Sequence, residues 1–199
     1  MNLTAQANVT DLDYPTKVLQ GAGKLVLYLD FDGVLHHENV LWHPKKGAFL
    51  CAPSRYTLFQ HAELLAELLE PFPDVQIVLS TAWVRSYGCA NTAKRLPTAL
   101  RKRVIGATFH SRMDESVFAD TPRGLQVWRD VVRRNPKDWL ALDDDHEDWP
   151  KWCLDNYVQT HGHEGISDPP VLAKIRDKLA NLGRGTEATN LRSAYEPDV

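Results

Sequence analysis

Five short apolar runs, set apart by stretches of helical periodicity, constrain this chain more than any other feature. Leu25–Leu29, Val75–Leu79, Val104–Phe109 and Trp139–Leu142 are each about one strand long, and Tyr157–Thr160 is a weaker fifth. Continuous apolar runs predict strands buried on both faces, as in a parallel sheet, rather than the alternation of a half-exposed one. Between them, Ser54 is placed to cap a helix carrying Leu58, Ala62, Leu65 and Leu69 at three- and four-residue steps, stopped by Pro71. A second helix is expected from Trp83 to the break at Pro97. A third has Thr121 as N-cap and Pro122 at its first position, with Leu125, Trp128 and Val132 inward. Asp168-Pro169 opens a fourth, with Val171, Leu172, Ile175 and Leu179 on its apolar face. Strand and helix in alternation require crossover connections, so the fold expected is α/β: a Rossmann-like three-layer sandwich around a mainly parallel central sheet. The 199 residues suit one domain. Its expected bounds are residues 23–182, with flexible segments at 1–22 and 183–199.

Open parallel sheets bind ligands outside the carboxyl ends of their strands. The first run ends in Asp30-Phe31-Asp32-Gly33. Residues two apart on a strand share a face, so Asp30 and Asp32 are expected side by side if extended geometry persists. Two neighbouring carboxylates repel unless a cation sits between them, and a hard, oxygen-seeking ion such as Mg²⁺ suits them. Gly33 then allows a sharp turn. The second run ends in Ser80-Thr81-Ala82-Trp83, hydroxyls where a ligand oxygen would lie, and the fourth in Asp143-Asp144-Asp145. Arg123 stands in the first turn after Pro122, where free N–H groups and the helix dipole already favour an anion.

Composition excludes some classes. Hydrophobic residues make up 43% and charged residues 25%, with a formal charge of −3, so no global charge calls for nucleic acid or an acidic membrane surface. Cys51, Cys89 and Cys153 show no paired spacing, which fits a reducing compartment. No apolar run is long enough to span a bilayer, and the first residues lack the basic start and apolar centre of a signal peptide. A cytoplasmic protein is expected, with no membrane partner and an oligomeric state left open.

The ordered set resembles the four motifs of the haloacid dehalogenase superfamily of phosphatases and phosphotransferases. Asp30-Phe31-Asp32-Gly33-Val34 matches the first motif in full, Ser80-Thr81 the second, Arg123 the place of the third, and Asp143-Asp144 the acidic fourth. Within the superfamily, Thr81-Ala82-Trp83, the run from Arg103 to Thr108, and Leu142-Asp143-Asp144 are similar to small phosphatase-like domains associated with RNA repair proteins. The resemblance implies a Mg²⁺-dependent phosphatase. Asp30 would be the nucleophile that forms an aspartyl-phosphate, and Asp32 the general acid and base. Ser80 or Thr81 would bind the phosphoryl group, and Arg123 would neutralise it. The metal set implied is Asp30, Asp32 through its backbone carbonyl, and the acids Asp143 and Asp144. Lys94 or Lys102 is the alternative to Arg123.

Substrate choice in this superfamily is made by cap insertions. Here neither cap interval is long enough for a large cap domain; Leu35–Pro53 is expected to form a flap. An open site of that kind suits a nucleotide, a nucleic-acid end or another bulky phosphomonoester. The rival function is a phosphate-sensing or phospho-accepting module without turnover. Weaker signals are a metal role for His161 and His163, His36 and His37 at the site entrance or in a hairpin with Trp42, and Trp83 or Trp149 as a base-stacking surface.

Overall fold

The computed structural model describes residues 18–184. Five strands form the central sheet: β1 (Leu25–Leu29), β4 (Val75–Leu79), β5 (Val104–Ala107), β6 (Asp138–Asp143) and β7 (Tyr157–Gln159). Their order is β5-β4-β1-β6-β7, and every pairing is parallel. Two more strands, β2 (Val40–His43) and β3 (Gly47–Leu50), pair antiparallel as a separate hairpin.

The apolar runs are continuous because both faces of the sheet are covered. Leu27, Leu29, Ile77, Leu79, Leu140 and Leu142 pack on one side with α1 (Ala62–Leu69) and α7 (Pro169–Asn181). Val26, Tyr28, Val78, Trp139 and Ala141 pack on the other with Val127 and Val131 of α6 (Arg123–Arg134). Each fully buried leucine contributes roughly 1.5–3 kcal/mol by removal from water. The α/β fold class is therefore as expected: a five-stranded parallel sheet between two helical layers.

Local expectations met exceptions with identifiable causes. The helix expected from Ser54 begins only at Ala62. Before it, Phe59 takes a left-handed φ of 61°, its N–H donates to His36 Nδ1, and the His61 N–H donates to the Leu35 carbonyl. Those donors are committed to the loop after β1, so no helical turn forms there. The stretch from Trp83 is cut at Gly88 (φ 75°) into α2 (Trp83–Tyr87) and α3 (Cys89–Ala93), with α4 (Thr98–Arg101) beyond Pro97. Thr121 does not cap α6. Pro122 takes that position, and Thr121 Oγ1 donates to the Val117 carbonyl at the end of α5 (Glu115–Ala119).

The inward face of α6 also differs. Val132 is 62% exposed, whereas Val127, Val131, Asp130 and Arg134 are buried. Asp130 accepts from Tyr28 Oη at 3.0 Å and Arg134 Nε at 2.8 Å, and also from Arg133. Charges enter a core when they are paired and hydrogen-bonded, and a count of apolar residues alone puts this helix out of phase. The Asp168 cap of α7 is as expected: its carboxylate accepts from the Val171 N–H, and Ile175 and Leu179 are buried.

The flap is the β2–β3 hairpin, hooked to α2 where Tyr87 Oη accepts from the Ala48 N–H at 2.9 Å. Of the flanking segments expected to be flexible, residues 1–17 and 185–199 lie outside the described residues. Nearer the domain, the Gln20 carbonyl accepts from Arg134, the Gly23 N–H donates to the Asn135 carbonyl, and the Gly183 N–H donates to Asp138 Oδ2. No described helix is long and apolar enough to cross a membrane.

Candidate active site

The hydrogen-bond ladder runs one residue past each strand and so clamps the strand ends. Asp30 N donates to the Leu142 carbonyl, Ser80 N to Leu29, Thr108 N to Leu79 and Thr160 N to Asp143, all between 2.8 and 3.1 Å. Residues 30, 80, 143 and 160 are thus fixed along one edge of the sheet by main-chain bonds, independent of their side chains.

Three carboxylates converge there. Asp30, Asp143 and Asp144 each offer an oxygen within 4.8 Å of the others. Asp30 and Asp143 are buried, with exposures of 4% and 1%. Arg123 reaches across from the start of α6: its Nε lies 3.3 Å from Asp143 Oδ2 and its Nη2 lies 3.8 Å from Asp30 Oδ2. Its Nη1 donates to the Ser80 carbonyl at 2.7 Å. One guanidinium therefore ties together the ends of β1, β4 and β6. Lys94 is exposed and spends its ammonium on Asn91 Oδ1, and Lys102 is exposed on α4's far end; neither forms an ion pair with a site acid among the described residues.

One guanidinium against three acids leaves an excess of two negative charges, and the titration of the acids reflects it. Burial pushes the Asp30 carboxyl up to about 6; Arg123 opposes the shift, Asp32 adds to it, and the Phe31 N–H and Thr81 hydroxyl oppose it further. Burial and then Asp30 push Asp144 up to about 7. Asp143 is raised well above the usual carboxylate range, by burial first and Asp30 second. Asp143 Oδ2 is buried without an aligned hydrogen-bond donor, despite its proximity to Arg123. A divalent, oxygen-seeking cation fits this set: it matches the charge excess, the donor type and the unsatisfied oxygen.

Gly33 belongs to the same construction. It turns with φ 65°, and a Cβ there would overlap the Asp144 carboxylate. The Thr160 hydroxyl fixes the turn by donating to the Gly33 carbonyl at 2.7 Å. Beside Arg123 lies an open cleft of about 280 Å³, lined in part by Ala82, Arg85, Phe118, Pro122 and Asp145.

Asp32 departs from expectation. Its carboxylate is near enough to add to the Asp30 shift but stands outside the cluster of metal-ligand spacing, which Asp30, Asp143 and Asp144 make. Regular strand geometry ends at Leu29. Asp32 pairs by a bridge with His36, and its Oδ1 accepts from His36 Nε2 at 3.0 Å and Trp83 Nε1 at 2.9 Å. Trp83 packs in the cluster of Leu27 and Leu29, on the side of the sheet opposite Tyr28. The two-residue alternation therefore fails between 30 and 32, and with it the inference that they face each other.

Ser80 and Thr81 are both buried. Ser80 Oγ has no hydrogen-bond partner, while Thr81 Oγ1 accepts from the Trp83 N–H at 3.4 Å and the hydroxyl helps to hold the Asp30 carboxyl down. Trp83 and Trp149 offer no free stacking face. Both are buried: Trp83 is bonded to Asp32, and Trp149 is stacked on Tyr157 with its Nε1 on the Asp145 carbonyl. His161 Nδ1 accepts from the backbone of His163 and Glu164, and the pair joins no cluster of metal-ligand spacing among the described residues. The site residues that sequence reasoning missed are His36 and Trp83 in their bonds to Asp32, and Thr160. The four-residue step from Asp32 to His36 was the only local signal; Thr160 reaches the site solely through the β6–β7 pairing.

No curated protein and no solved structure matches this chain. A family model described as the HAD domain in Swiss Army Knife RNA repair proteins matches residues 26–171. Apart from Leu25 at the start of β1, that interval holds the five sheet strands, and it holds the acidic triad, Arg123 and the Thr81-Ala82-Trp83 turn. By sequence profile and by a fold that agrees with it, the chain belongs to this family of HAD domains, whose members are generally hydrolases and phosphatases.

Proposed function

We propose that this domain is a Mg²⁺-dependent phosphohydrolase that works through an aspartyl-phosphate at Asp30. One observation carries the reading. Asp30 is the residue common to the acidic triad, the Arg123 contact and the Thr81 hydroxyl. A nucleophile of this type needs no base to activate it, but it does need its repulsion for the phosphate offset. Asp30, Asp143 and Asp144, with the backbone carbonyl of Asp32, would hold the ion; when bound, it supplies that offset and polarises the phosphate.

The chain's own groups do the rest. An Asp30 oxygen attacks phosphorus as the bond to the leaving oxygen breaks, and Asp32 gives that oxygen its proton. Water then attacks the phosphoryl-aspartate; Asp32 takes the water's proton, the acyl-phosphate P–O bond breaks, and Asp30 is restored. Arg123 and Thr81 hold the equatorial oxygens, where charge is greatest.

The substrate class favoured is a phosphate at a nucleic-acid end. Two observations support it: the description of the matching family names RNA repair proteins, and only a two-stranded hairpin stands in the cap position. The test is phosphate release from end-phosphorylated oligonucleotides, nucleotides and sugar phosphates, with Mg²⁺ or with EDTA. Metal-dependent turnover that Asp30→Asn abolishes is expected. A stable phospho-Asp30 without turnover would instead mark a phospho-accepting module.

A further inference from the structure

Asp32 stands outside the acidic triad and is held by two donors that are themselves held. His36 is fully buried, edge-on to Phe59 and Trp83. Its Nδ1 accepts from the Phe59 N–H at 3.3 Å. With that lone pair taken, the ring proton sits on Nε2 and is donated to Asp32 Oδ1. The Phe59 N–H points there because Phe59 is held at φ 61°, a conformation uncommon outside glycine. Trp83 is fixed from several sides. Phe31, Phe59 and Tyr87 pack around its ring, Arg95 lies over it at 4.9 Å, and Thr92 Oγ1 donates to its carbonyl. Its Nε1–H has one partner, Asp32 Oδ1.

Two N–H donors therefore converge on one oxygen of Asp32, while Oδ2 has no hydrogen-bond partner among the described residues. With both donors on Oδ1, Oδ2 is the oxygen left free to face a bound ester. We infer that His36 and Trp83 are positioning residues: by occupying Oδ1 they make Oδ2 the oxygen that hands the proton to the leaving group and later takes one from water. The inference rests on the phosphatase reading and specifies how its general acid is set.

The test compares two esters in single turnover. Dinitrophenyl phosphate has a leaving group that needs no proton; glycerol phosphate has one that does. Trp83→Phe and His36→Leu should each slow phosphoryl transfer from glycerol phosphate about ten- to a hundred-fold and leave the dinitrophenolate burst within about threefold. His36→Gln, which keeps an N–H donor, should recover much of the loss. Equal losses on both esters, or no loss on either, overturn the positioning role while leaving the phosphatase reading intact. A wild-type protein that cleaves neither these esters nor an end-phosphorylated oligonucleotide sinks both. If the variants fail to fold, the indole N–H resonance of Trp83 in the wild type decides. It should move when Asp32 is changed to Ala, and an unmoved resonance refutes the bond on which the inference stands.

Discussion

Asp30→Asn should make the metal-free protein more stable, although it removes the proposed nucleophile. Asp30 is buried among acids, and its carboxyl is raised from 3.8 to about 6. At about 1.4 kcal/mol per pH unit, its ionised form costs the folded state about 3 kcal/mol relative to the unfolded chain. The sign follows from the direction. A raised folded value means that the folded state binds the proton more tightly, so stability is fullest below the unfolded value and is lost as pH rises through the folded one. Asparagine keeps the shape without the charge. The two proteins should therefore match near pH 4 and diverge between about pH 4 and 7, with the variant ahead by about 3 kcal/mol above that window. Urea unfolding in EDTA at a series of pH values measures the difference. Saturating Mg²⁺ should reverse the order, because the wild type gains binding energy that the variant lacks. A variant no more stable than wild type at pH 7.5 in EDTA would refute the idea that these acids are held together against their own repulsion.

Three further outcomes test the rest of the site. Gly33→Ala should lose the Mg²⁺-induced rise in Tm and cost roughly 1–3 kcal/mol, since it strains a φ of 65° and displaces Asp144; thermal melts with and without the ion read both. Ser80→Ala removes a buried hydroxyl that has no partner and should be neutral or stabilising, whereas Thr81→Val should lower kcat about tenfold or more. Tyr28→Phe should cost roughly 1–3 kcal/mol in urea with little change in kcat, because it leaves Asp130, which is outside the acidic triad, short of a donor.

How much could be read without coordinates depended on whether the deciding interaction was local. The strands were legible because a run such as Val26–Leu29 has no polar side to offer water; it must be covered on both faces, and only a parallel sheet between helices does that cheaply. Asp30, Asp143, Asp144 and Arg123 were legible because each directly follows a strand or opens a helix, and the ladder carries such positions to one edge. The face of α6 was not legible: Asp130 and Arg134 are inside only because Tyr28, far away in sequence, meets them. The helix expected from Ser54 failed for a similar reason, its donors having been claimed by the loop after β1.

The sequence alone determined the class of fold, the edge at which chemistry gathers, and the acids that gather there, since burial and strand polarity are properties of short segments. Tertiary structure alone decided that the Asp32 carboxylate bonds to His36 and Trp83, that Arg123 rather than a lysine spans three strand ends, and that the Ser80 hydroxyl is buried without a partner. Those choices rest on side-chain directions past the ends of regular strands. There the period of two no longer holds, and hydrogen bonds between distant segments set the geometry.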